Sequence, residues 1–68
     1  MTVVVNGEAR DLAPGTTVRG LLDALEVPGG GRGVAVAVDA EVVPRGAWET
    51  TTLDEGARVE VLRAIQGG

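Results

Sequence analysis

Few residues in this sequence can do chemistry. Among 68 residues there is no cysteine, no histidine and no lysine, and all six cations are arginine. That leaves no thiol nucleophile or thiolate ligand, no imidazole base and no amine for a Schiff base. Glu8, Asp23, Asp39, Glu41 and Glu60 are scattered, without the spacing of an acid/base pair or a metal loop. Gly29-Gly30-Gly31-Arg32-Gly33 follows a helical pattern instead of a strand and lacks the Lys-Ser/Thr pair that grips phosphate. It reads as a loop. No catalytic side chain and no metal set is therefore expected, and the remaining candidate is Gln66-Gly67-Gly68.

The Gly68 carboxylate, ordinarily with a pKa of about 3.3–3.7, is ionised at neutral pH and a poor electrophile. Attack on the α-phosphate of ATP would make it an acyl-adenylate, with Mg²⁺ and cationic clamps supplied by a partner. A sulfur nucleophile could then displace AMP and leave a thiocarboxylate able to deliver sulfur. Glycine suits an end that a partner must enclose, because it has no Cβ and adopts any φ. The five residues after Arg63 reach at most about 17 Å, a length suited to a narrow channel. The competing explanation is an idle chain end, where glycine is common.

The elements that would carry this end are legible. Thr2–Asn6 is a β-branched run closed by Asn6-Gly7, the strongest short hairpin signal. Glu8–Leu12 would return as a weaker edge strand. After Pro14-Gly15, Thr17 is placed to cap a helix. Val18, Leu21, Leu22 and Leu25 form its apolar stripe, and Pro28 with the glycine run is expected to stop it. Val34–Val38 alternates valine and alanine, putting three valines on one face. Asp39-Ala40 turns into Glu41-Val42-Val43, Pro44 ends that run, and Arg45–Trp48 makes a turn or short helical corner. Leu53–Gly56 is a turn before the last strand, Arg58–Arg63.

The pattern is ββαβ(β)β, an α+β two-layer fold of four to five strands in a mixed sheet under one main helix. Residues 1–63 would form the domain and 64–68 a flexible C-terminal tail. The valine-rich first and last strands read as parallel central neighbours, with Val3, Val5, Val59 and Val61 meeting the helix. On the opposite face the alternation places Val4, Ala35, Ala37, Glu60 and Leu62. That set is either an apolar docking patch or scattered surface. Trp48 is expected to cover the open end of the core, with Arg45 paired to a carboxylate; both could instead serve docking.

Size and charge bound the function. One domain fits this length, and so small a domain buries only about 60% of its unfolded surface. A net charge of −4 argues against nucleic acid, as does the lack of stacking aromatics. The acidity either suits a partner with a basic face or only maintains solubility. No apolar run approaches the roughly 18 residues of a membrane helix. The opening residues carry no basic leader, so a cytoplasmic location is expected.

These motifs in this order resemble the β-grasp, ubiquitin-like sulfur carriers, most closely the ThiS family of thiamine biosynthesis. The resemblance runs through Val3-Val4-Val5-Asn6-Gly7, Pro14-Gly15-Thr16-Thr17-Val18 with Leu21-Leu22, and Val36-Ala37-Val38-Asp39. It continues through Val43-Pro44-Arg45, Trp48, Leu53-Asp54-Glu55-Gly56 and Val59-Glu60-Val61 to Ala64-Ile65-Gln66-Gly67-Gly68. Val-Pro-Arg-x-x-Trp and the Gln-Gly-Gly end are its most specific parts. Asp39 departs from it, standing where the family often has asparagine.

The resemblance implies a β-grasp fold and a co-substrate that is not an enzyme. It implies no bound cofactor, ATP and Mg²⁺ being used by a ThiF-type adenylyltransferase. Gly68 would be the modified residue and Gly67 its slim neighbour, with Ile65 and Gln66 along the partner's channel. A sulfur donor protein would supply the sulfur and a ThiG-type thiazole synthase would receive it. The small subunit of molybdopterin synthase and a ubiquitin-like modifier share such a fold and tail, and a plain interaction module is the remaining alternative.

Overall fold

Strand β1 (Thr2–Val5) and strand β2 (Glu8–Asp11) form an antiparallel hairpin in a computed structural model that describes residues 1–27 and 32–63. The turn residues Asn6 and Gly7 have φ of 49° and 84°. That is the backbone a two-residue type I′ turn demands, and both residue types tolerate it.

Helix α1 (Val18–Ala24) begins where the extended Thr17 hydroxyl accepts the Gly20 N–H at 3.1 Å. Its N-terminal end is tied down further. The Val18 N–H donates to the Thr51 carbonyl, and the Leu53 N–H to that of Thr16, both at 2.9 Å. Val18, Leu21 and Leu22 are buried and Leu25 packs partly against them, so the stripe read from the sequence faces the sheet.

The helix stop differs from expectation. It ends before Pro28, through Glu26 at φ 57°. The Glu26 N–H donates to the Asp23 carbonyl, and the Val27 N–H to that of Leu22. This paired closure is a Schellman motif. Glutamate carries no helix-stop signal, which is why composition pointed to the proline and glycines instead. Pro28 and Gly29–Gly31 lie outside the described residues.

Strands β3 (Val34–Val38) and β4 (Glu41–Val43) form a second antiparallel hairpin. Asp39 and Ala40 close it at φ 49° and 70°. After Pro44, a 3₁₀ turn (Arg45–Ala47) drives Trp48 into the core. The Trp48 indole donates to the Val43 carbonyl at 2.9 Å, which satisfies the one polar atom its burial would strand. The Arg45 guanidinium lies 5.8 Å from the ring centroid, a cation–π contact.

Strand β5 (Arg58–Arg63) completes a five-stranded sheet in the order β2-β1-β5-β3-β4. It runs parallel to β1 and antiparallel to β3. Val3, Val5, Val36 and Val59 from the three central strands are buried with Val18, Leu21, Leu22, Trp48, Leu53 and Ala57, and Val61 packs against this set. No side chain in the described core is polar or charged except for the tryptophan nitrogen. Each fully buried Val or Leu contributes about 1.5–3 kcal/mol, so packing of one sheet face on one helix holds the domain together.

Candidate functional site

The candidate site is the strand that leads to the glycine end, together with the sheet face beside it. β5 is held on both sides. Toward β3, residues 59–63 are paired along their length, Val38 opposite Val59 through Val34 opposite Arg63. Toward β1 the backbone ladder is short: the Val4 N–H donates to the Ala57 carbonyl and the Asn6 N–H to that of Val59, each at 2.9 Å. There β1 turns away.

The Asn6 side chain continues the ladder. Its carboxamide oxygen accepts the Val61 N–H at 2.9 Å and its amide nitrogen donates to the Val61 carbonyl at 3.1 Å. One side chain thus satisfies a donor and an acceptor that a further strand residue would have taken. The consequence is a last strand fixed in register to within two residues of its end at Arg63. Sequence reading assigned Asn6 only to the turn, since nothing local tells which distant backbone its amide will meet.

At the other end of β5, the Asp39 N–H donates to the Arg58 carbonyl at 2.8 Å, and Asp39 Oδ1 accepts the Arg58 N–H at 3.0 Å. An aspartate here provides the acceptor oxygen that this contact uses.

The face away from the helix is uncovered among the described residues. Cross-strand partners share a face, so the pairs Val4–Ala9, Val4–Arg58, Ala35–Leu62, Ala37–Glu60 and Ala37–Val42 all lie on it. All five predicted patch residues, Val4, Ala35, Ala37, Glu60 and Leu62, therefore belong to this face. Leu62 is 64% exposed and Val42 is 74% exposed, the two large apolar side chains left in solvent among the described residues. A shallow cleft between the Asn6-Gly7 and Asp39-Ala40 turns crosses the same face over Arg58 and Glu60.

Val42 was not anticipated. Its signal was available in the two-residue turn Asp39-Ala40, which forces Ala37 opposite Val42 and hence onto the alanine face. Leu62 is the last residue of this face before the end of β5, so the apolar patch and the route to the tail adjoin. The expected site residues Ile65, Gln66, Gly67 and Gly68 lie outside the described residues. Among the described residues no group of three His, Cys, Asp or Glu side chains is placed to hold a metal ion.

A mixed sheet in this order, crossed by a single helix and with its first and last strands parallel at the centre, is the β-grasp fold. The ThiS family model matches residues 3–68, and the chain belongs to the ThiS family. It is 31% identical to the sulfur carrier protein ThiS of Escherichia coli K12 over the whole of both chains. It is also 35% identical to a thiazole synthase of Paramagnetospirillum magneticum, all 68 residues aligning with 20% of that protein. The chain thus spans about a fifth of that relative's length. The crystal structure of the thiamine biosynthesis protein ThiS from Geobacter metallireducens superposes with a TM-score of 0.84 at 36% identity, covering both chains completely. A solution structure of a thiamine biosynthesis protein from the same organism gives 0.81 at 37% identity, over all of this chain and 88% of that one.

Proposed function

We propose that this chain is a sulfur carrier of thiamine biosynthesis, a protein co-substrate on which other enzymes act. A ThiF-type adenylyltransferase, using ATP and Mg²⁺, joins the Gly68 carboxylate to AMP and releases pyrophosphate. A sulfide-level sulfur nucleophile handed over by a donor protein attacks the acyl carbon and expels AMP, and the resulting thiocarboxylate gives its sulfur to a thiazole synthase. The observation that carries this reading is the family match extending through Gly68 in a chain with no cysteine, histidine or lysine. The reactive group must then be one that another protein can activate.

Gly67, Gln66 and Ile65 are the segment that threads the partner's channel, where glycine's missing Cβ permits close enclosure. The open sheet face, with Val4, Ala35, Ala37, Glu60, Leu62 and now Val42, is the docking surface. Its exposed apolar side chains offer area to bury, and the neighbouring end of β5 brings the tail into reach of whatever covers them. Alignment of the whole chain with part of a thiazole synthase supports that enzyme as a partner. The place of action is the cytoplasm, where ATP is available. No helix among the described residues is long and apolar enough to cross a membrane.

The test is to incubate the chain with ATP, Mg²⁺, a ThiF-type enzyme and a sulfur donor, then weigh it intact. The expected product is heavier by the difference between one sulfur and one oxygen. A chain lacking Gly67-Gly68 should unfold at the same temperature and show no such gain. Thiazole formation restored by the truncated chain would overturn the proposal.

A further inference from the structure

Strand β2 is an edge strand with every residue exposed, and its free backbone groups can be located. On β1, the Val4 N–H is committed to the Ala57 carbonyl, and the Thr2 carbonyl accepts the Gly56 N–H. Thr2 and Val4 therefore bond toward β5, and Val3 and Val5 toward β2, because backbone direction alternates along a strand. Val3 and Val5 pair with Arg10 and Glu8. The N–H and C=O groups of Ala9 and Asp11 consequently point outward, a short template for another strand.

We infer that the β2 edge pairs antiparallel with the β2 edge of a second copy of this chain, Ala9 opposite Ala9, in a weak salt-sensitive dimer. Charge selects both the occupant and the register. Only registers that bring outward-pointing residues together form bonds. Placing Ala9 against Asp11 sets Arg10 against Arg10, and placing Asp11 against Asp11 sets like carboxylates face to face. Ala9 against Ala9 places Glu8 of each copy directly opposite Arg10 of the other. Opposite charges at such a non-hydrogen-bonded pair attract and like charges repel, so the sequence Glu-Ala-Arg is complementary to itself in one register alone.

The surface is small against the roughly 1,200 Å² of a stable interface, so association belongs at millimolar concentration. It leaves the apolar sheet face and the end of β5 uncovered. The inference is independent of the sulfur-carrier reading.

Sedimentation equilibrium of the full chain up to about 1 mM, at low and high salt, is the primary measurement, with backbone amide NMR shifts followed over the same range. Dimerisation that weakens with salt, and shifts centred on residues 7–11, are expected. Arg10→Glu and Glu8→Arg should each weaken association by about tenfold, and the double swap should return it to within about threefold of the parent. Ala9→Pro removes the central outward N–H and should abolish it. Unfolding midpoints identify any variant that fails to fold, and the double swap remains decisive if one does. A chain that stays monomeric, a swap that fails to restore pairing, or shifts centred instead on Val42 and Leu62 would overturn the inference.

Discussion

Asn6 combines two tasks that usually fall to different residues. It takes the left-handed conformation at φ 49° and its carboxamide makes two hydrogen bonds to Val61. Asn6→Ala should cost about 2–3 kcal/mol, from two bonds worth about 1 kcal/mol each and a left-handed backbone disfavoured for alanine. Asn6→Gly keeps the turn conformation and should cost about 1–2 kcal/mol. Urea unfolding of both variants separates the bonds from the backbone. Equal losses would mean that the bonds to Val61 carry all of the effect. Ala40, at φ 70°, occupies the second position of the other hairpin turn, where glycine is preferred. Ala40→Gly should raise stability by about 0.5 kcal/mol, the left-handed penalty exceeding the extra unfolded-state entropy of glycine. The midpoint of thermal unfolding checks it.

Among the elements, α1 is too short to persist alone and depends on its ends and its neighbours. Thr17 closes the start, and the Glu26–Val27 turn closes the finish by bonding back to Asp23 and Leu22. Glu26→Gly should therefore stabilise the domain by about 0.5–1 kcal/mol, since glycine relieves the left-handed strain without altering the bonds. Calorimetry would register it as a higher midpoint with unchanged cooperativity. A lower midpoint would show that the carboxylate of Glu26 contributes more than its backbone costs. The apolar stripe, the Thr17 cap and the Asn-Gly hairpin were all legible because each depends on spacing within a few residues. The true stop was not, because Glu26 is held left-handed by the backbone bonds back to Asp23 and Leu22 and by half-buried Val27 packing against the core, not by its own preference.

For the molecule as a whole, the sheet has one face that holds it together and another free for work. Replacing both Leu62 and Val42 by aspartate should change stability by no more than about 1 kcal/mol in all, because both are exposed and each change is worth at most about half of that. The same pair should lower the efficiency of sulfur transfer by about tenfold or more if this face docks. Circular dichroism and a steady-state transfer assay read the two effects separately. A variant that transfers at the parental rate would remove this face from the docking surface and leave the tail chemistry untouched.

Alternation of valine and alanine, the helix stripe and two short turns determined by themselves the order of elements and which side of each faces inward. They did so because side-chain direction follows local period. The same local reading singled out the glycine end, through the absence of any other reactive group. Only the tertiary structure decided that Asn6 reaches Val61 and that Arg45 settles over Trp48. Each joins atoms through turns or strand pairings whose geometry is set by the packed sheet, and no short-range pattern encodes it.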